Sequence, residues 1–413
     1  MKYEKVIDEC AKLVPLVIWG AIDENQRIRG CTTYGFDMHF LGENHQEFIN
    51  VVEKISSDKQ IGTYYVSKDK IKNYLLSLIR EVHSHGTDAA KNNDTLKKQW
   101  ATFIDNTLTT YHIIFPIYGV IVNDDISIGS FIAYNTEGYR RFLANYQHVS
   151  VADLEKFSIL KDGMNFLRYD IKAKDPNRAR ELSLPIFELF EYAAKFLLWD
   201  SQLYDIGIFN YRAWSTSSSL VLSKTSYSGH FDSKGASVNI PVTRLVDFPN
   251  AKPFWDMITR YIEAKTTMME NQTVNAIKFT GKANSSYSSM EKYVQYVFAL
   301  EALLAHTPQK EIITPSLSYH LAEYASFIVG ENVDLDGITK KELRQKIFKD
   351  VKKVYANRSK IVHGSDSFKK FLDVAEAREL VYKVIISTMR NKEIMKFTSP
   401  DNLQQWIDNL KFS

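Results

Sequence analysis

Tyr355-Ala-Asn-Arg-Ser-Lys-Ile-Val-His363-Gly364 closes a strongly periodic segment and sets Arg358 and His363 near one helix end. Leu343, Ile347, Val351, Val354, Tyr355 and Val362 recur in threes and fours, which predicts a helix from about Lys341 to His363 with one buried stripe. Continued from Val354, the stripe reaches Arg358 before Val362, so a permanent cation stands where the pattern calls for an apolar side chain. Such a charge requires a partner, an interface or a substrate. Gly364 suits the left-handed position past a helix end and puts His363 in the last turn, where the dipole favours the imidazolium.

The step from Arg358 to His363 amounts to about 7.5 Å of rise and about 140° of rotation. One copy of the helix does not easily focus both groups on one phosphate. Two copies related by a two-fold axis bring them to a shared cleft, so a homodimer belongs to any catalytic reading.

These residues resemble the HEPN superfamily, whose ribonuclease members carry an Arg, four to six residues, then a His. The closer resemblance is to its Apea-like branch, through Tyr355, Arg358, Ser359, Ile361, Val362, His363 and Gly364, the upstream Phe298-Ala-Leu-Glu301-Ala-Leu-Leu304, and the helical Leu317 to Val329. It covers roughly Asn275 to Arg390. One departure is Ser359, where many active members have Asn, Asp or His.

The resemblance implies RNA cleavage by the substrate's own 2′-hydroxyl, leaving a 2′,3′-cyclic phosphate and a 5′-hydroxyl, with no metal and no cofactor. His363 would move protons near neutrality, and the planar fork of Arg358 would hold phosphate oxygens. Ser359, Glu301, Tyr355 and Asn357 are the supporting candidates. Lys349, Lys352, Lys353 and Lys360 are candidates for RNA contact on the exposed face of the same helix. Plainer readings stand beside these. Glu301 lies on the apolar stripe of its own helix with Val294, Val297, Phe298, Leu304 and Ala305, so Arg358 and Glu301 can form a buried structural ion pair. His363 can be a helix-end cation, and the lysines a solvated face.

Composition frames the alternatives. A chain of 413 residues, 45% hydrophobic and 24% charged, is long enough for two or three globular domains. Its formal charge of +3 is small, so nucleic acid would have to meet a local patch. Two cysteines, Cys10 and Cys31, give no disulfide framework and agree with a reducing cytoplasm. The apolar run Leu13 to Trp19, interrupted by Pro15 and preceded by Glu4, Asp8 and Glu9, is neither a signal peptide nor a membrane span.

The chain reads as α+β: a mixed region over residues 1–252, of one subdomain or of two with the break near 150–200, then a helical HEPN-like bundle over 253–413. Arg27 to Leu41 reads as strand, and Ser67 to Val82 and Lys97 to Thr110 as helices, the first opened by a Ser67 cap. Tyr111 to Val122 and Ile126 to Tyr134 read as strands around an Asn123-Asp-Asp125 turn, with Pro116 marking an edge or bulge. Leu182 to Trp199 is helical, and Asp205 to Thr243 suggests hairpins. Pro241, Pro249 and Pro253 precede a long helical signal from Phe254.

Other motifs carry less. Gly281-Lys282 lacks the rest of a phosphate loop, His83-Ser-His85 has no ligand partners at a recognised spacing, and Ser226-Tyr-Ser-Gly-His230 is not a nucleophile elbow. Lys172, Lys174, Arg178 and Arg180 read as a solvated basic turn. By analogy with proteins similar to this one, the front region would restrain the nuclease or sense a phage-derived trigger in bacterial abortive infection.

Overall fold

The computed structural model describes residues 2–20, 31–34, 37–59, 63–105, 107–156, 163–198, 206–209, 219–222, 227–230, 239–286, 288–305, 316–331, 339–362 and 373–412. It is an α+β fold with a helical C-terminal region. His363 and Gly364 lie outside the described residues, as do Arg27 to Gly30 of the first expected strand and most of Asp205 to Val238.

The first unit contains α1 (Tyr3–Leu13), α2 (Gly42–Ser56), α3 (Lys68–His85), α4 (Thr87–Asn92) and α5 (Asp94–Asp105). A small antiparallel sheet of β1 (Val17–Trp19), β2 (Cys31–Tyr34) and β3 (Met38–Leu41) runs in the order β1-β3-β2. Helical spacing explains the packing: Val6, Ile7 and Cys10 of α1 meet Ile71, Leu75, Leu78 and Ile79 of α3 in one apolar cluster with Phe40 and Phe48. The helix expected to run to Thr110 stops at Asp105. Thr109 and Thr110, β-branched and suited to a pleated surface, instead open a strand opposite Ala173 and Lys172.

A six-stranded antiparallel sheet follows, built from β4 (Thr109–Ile117), β6 (Ile126–Ile128), β7 (Phe131–Asn135), β8 (Asn165–Ala173), β9 (Ser219–Leu222) and β10 (Tyr227–His230) in the order β10-β9-β4-β8-β7-β6. The short β5 (Val120–Ile121) pairs in parallel with β11 (Ile240–Pro241). Strands β4 and β7 are not neighbours, because β8 enters between them. The tight hairpin is β6 with β7, turned at Gly129-Ser130, where Gly129 has φ 59°. Pro116 lies beyond the part of β4 that β9 covers, His112 to Ile114, so its missing N–H leaves no gap on that side. Strands β9 and β10 form the expected hairpin.

One face of the sheet is covered by α6 (Thr136–Leu143) and α7 (Val151–Lys156), the other by α8 (Pro176–Leu197). Behind α8 stand α9 (Ala251–Ile262), α10 (Met268–Ser285), α11 (Ser289–Leu304), α12 (Leu317–Gly330), α13 (Lys340–Val362), α14 (Val374–Arg390) and α15 (Pro400–Phe412). The apolar core runs across residue 252, where the sequence suggested a boundary. Phe254 and Trp255 of α9 stack on Phe196 and Phe190 of α8, with ring centroids 6.1 and 5.2 Å apart. A methyl group on Gly281 would strike Tyr192, so that glycine serves the close approach of α10 to α8 rather than a phosphate.

The first unit keeps a separate apolar cluster and joins the sheet through polar contacts at the β8–α8 corner. Asp175, 3% exposed, accepts the Ser67 N–H at 2.9 Å and the Arg178 N–H at 3.0 Å, and so caps two helices at once. Ser67 occupies the cap position of α3, but its own hydroxyl makes no capping bond. Lys174 donates from Nζ to the carbonyls of Phe103 and Ile104 at the end of α5, and Arg178 donates from Nε to the Tyr64 carbonyl at 2.6 Å. The basic cluster expected to be a solvated turn is therefore, at Lys174 and Arg178, a joint between two units; Lys172 remains exposed.

Candidate functional site

Helix α13 buries Leu343, Ile347, Val351 and Val354, as its spacing requires. Arg358 continues that stripe at the rim of the core, with its side chain 27% exposed. Opposite it, Glu301 projects from the last turn of α11, near the negative pole of that helix. The two face each other as the ion-pair reading expects, but Arg358 Nη2 and Glu301 Oε1 stand 3.9 Å apart, too far for a hydrogen bond. Arg358 Nε and Glu301 Oε1 are both buried and, among the described residues, neither has a hydrogen-bond partner.

Two aromatic rings also flank the guanidinium. Its central carbon lies 5.5 Å from the Phe298 ring centroid and 6.0 Å from that of Tyr355. Phe298 was legible only as a core residue, yet it precedes Glu301 by one helical turn and shares its face. The Tyr355 phenol stands beside the Glu301 carboxylate and favours its charged form. Burial pushes the Glu301 carboxyl above its ordinary value, and Arg358 and Tyr355 pull it back without cancelling the effect. Burial, then the charge of Glu301, raise the Tyr355 phenol as well.

A raised carboxyl in the folded state means that the native protein binds more protons there than the unfolded chain, so stability falls as pH rises through that window. Replacing Glu301 by glutamine is therefore expected to leave the melting temperature at pH 7 unchanged or higher. The difference should vanish below the ordinary carboxyl range. Thermal unfolding at both pH values checks this, and a clear loss of stability at pH 7 would restore the structural ion pair.

The remaining candidates divide. The Tyr293 hydroxyl donates to the Val354 carbonyl at 3.2 Å and ties α13 to α11, and Asn357 lies beside that hydroxyl. Ser359 is half-buried. Lys349, Lys352, Lys353 and Lys360 are exposed, as expected of a solvated or polyanion-binding face. Lys353 is engaged by Glu376 at 2.6 Å, and Lys352 lies over the Phe348 ring. Lys349 precedes Arg358 by about 180° of helical rotation, so within one chain the lysine stripe and the Arg358 site face opposite ways.

Elsewhere, His83 stacks flat on Trp19 with centroids 3.8 Å apart, and His85 faces Glu81 at 3.4 Å. Among the described residues no group of three or more ligand side chains could hold a metal ion. A cluster not singled out in the sequence lies across β4 and β8: His112 Nδ1 meets Asp170 Oδ1 at 2.7 Å, and Arg168 Nε meets the same oxygen at 3.0 Å. Arg168 also donates to the Tyr134 hydroxyl at 2.6 Å. Burial raises the Asp170 carboxyl, but His112 and Arg168 outweigh it and hold it below its ordinary value. With its charges matched, this cluster is a cross-strand tie. Among the described residues no helix is long and apolar enough to cross a membrane. No known protein family, curated protein or solved structure matches the chain.

Proposed function

We propose that the chain is a metal-independent endoribonuclease of the HEPN type, Apea-like branch, acting as a homodimer on cellular RNA such as tRNA. In this reading it works in the cytoplasm as a toxin effector of bacterial abortive infection, and the region before residue 253 restrains it until a phage-derived trigger arrives. One observation carries the proposal: Arg358 sits at the core's rim with a buried nitrogen that lacks a hydrogen-bond partner among the described residues, and it faces a carboxylate it does not hydrogen-bond. A cation so held has donors to offer a phosphate oxygen.

Attack of the 2′-oxygen on phosphorus forms the cyclic phosphate as the bond to the 5′-oxygen breaks. His363 would transfer a proton to or from one of those oxygens, and Arg358 would stabilise the added negative charge. The rotation that helical spacing would put between positions 358 and 363 favours donation of Arg358 and His363 from different copies. The 3.9 Å approach of Glu301 favours, as a second reading, a non-catalytic HEPN module for dimerisation or for binding RNA, nucleotide or protein, with Arg358 structural.

Expression of wild type, Arg358→Ala and His363→Ala in bacterial cells, with total RNA and its ends analysed, separates the two. Each substitution is expected to slow cleavage by about 100- to 1,000-fold with the dimer retained, and the wild-type products should carry 2′,3′-cyclic phosphates. Intact RNA in the presence of folded, triggered wild type would overturn the proposal.

A further inference from the structure

The Arg358–Glu301 arrangement lacks a third member. Among the described residues Arg358 Nε and Glu301 Oε1 are buried without hydrogen-bond partners, and the two side chains approach to 3.9 Å between Nη2 and Oε1, although buried polar atoms in folded proteins are nearly always satisfied. The charges limit what can complete it. A bare phosphate oxygen would suit Arg358 and repel Glu301, and an ammonium would do the reverse. A hydroxyl group suits both, because its oxygen accepts from the guanidinium while its proton goes to the carboxylate. An oxygen about 2.8 Å from both Arg358 Nη2 and Glu301 Oε1 closes a triangle on that observed base.

Arg358 keeps further N–H donors in its planar fork for an anionic oxygen beside that hydroxyl. The Phe298 and Tyr355 rings that flank the guanidinium add faces on which a planar ring can pack. A hydroxyl adjacent to a phosphate, on a ligand bearing a planar ring, describes a ribonucleoside 3′-phosphate. We infer that Glu301 accepts a hydrogen bond from the 2′-hydroxyl of a ribonucleotide whose 3′-phosphate is held by Arg358, and is thereby the residue that distinguishes RNA from DNA. The inference rests on the ribonuclease reading for its ligand class.

Its test reads binding and not cleavage. Full-length protein is titrated calorimetrically with uridine 3′-phosphate, 2′-deoxyuridine 3′-phosphate and 2′-O-methyluridine 3′-phosphate, none of which contains a cleavable phosphodiester. Wild type is expected to prefer the 2′-hydroxyl compound by about 10- to 100-fold, the range of a hydrogen bond to a charged group. The 2′-O-methyl compound, which keeps the oxygen and loses the proton, should bind as weakly as the deoxy compound. Glu301→Met should reduce the preference to about one, and Glu301→Gln, which retains an uncharged acceptor, should give an intermediate ratio. Equal binding of the three compounds by wild type, no binding of any, or a preference that survives Glu301→Met overturns the inference. The wild-type comparison decides it even if a variant does not fold. A preference found in a protein that cuts no RNA would sink the nuclease reading alone, and cleavage without a preference would sink this inference alone.

Discussion

Replacing Glu191 by alanine is expected to destabilise the protein by about 3–5 kcal/mol, the range for breaking a buried ion pair by removing one partner. Glu191 and Lys195 lie one turn apart on α8 with side chains 0% and 3% exposed, and their charged atoms approach to 3.1 Å. The second carboxylate oxygen accepts the backbone N–H groups of Ile208 at 3.0 Å and Phe209 at 2.8 Å. Alanine would strip the Lys195 ammonium of its carboxylate and remove the acceptor of two backbone donors, while the Ser285 hydroxyl that Lys195 also meets at 2.9 Å carries no charge. Urea unfolding of the variant measures the loss. A shift below about 1 kcal/mol would mean that water or another group replaces the carboxylate. The double variant Glu191→Leu, Lys195→Met should recover much of the deficit, because the pair taken out together leaves no buried charge.

The second large effect is expected at Asp175. Alanine there removes the cap of α8 and the acceptor for the first N–H of the α3 turn, at a cost of roughly 2–4 kcal/mol. Asparagine can accept through one oxygen only and should lose about half as much. The location makes the change more specific than its size suggests, since the contact spans the joint between two separate apolar clusters. Hydrogen exchange should accelerate at Ser67 and in the first turns of α3 and α8, while the amides of α11 and α13 keep their protection. Uniform acceleration across the chain would show that Asp175 supports global stability and not the joint.

These two sites also mark how far sequence reading reaches. The stripes of α1, α3 and α13 were readable because each helix buries one face and the period of 3.6 survives in the order of residues. Arg358 was readable for the same reason, as the charge that breaks such a stripe. The far-side placement of Lys349 relative to Arg358 follows from the same helical arithmetic. Strand order was not readable: alternation tells which residues lie in strands but not that β8 inserts between β4 and β7. Asp175 was missed because its partner Ser67 is 108 residues away. Lys174 and Arg178 looked solvated because the carbonyls they bind belong to any residue type and leave no mark in the sequence. Ser67 had the right identity for a cap, yet the distant carboxylate took its place.

Helix α8 has its first turn in the Asp175 joint and its last turns against Ser285 and Tyr382, where Phe196 stacks on the Tyr382 ring at 4.7 Å. Twenty-two residues make a rod of about 33 Å. Tilting such a lever by about 5° at one end sweeps the other through about 3 Å, half a turn of a helix. Pro185, inside the rod, withholds one rung of its hydrogen-bond ladder and is the point of least bending stiffness. The rod thus joins the first unit to the bundle in one piece of backbone, with Pro185 as its softest point.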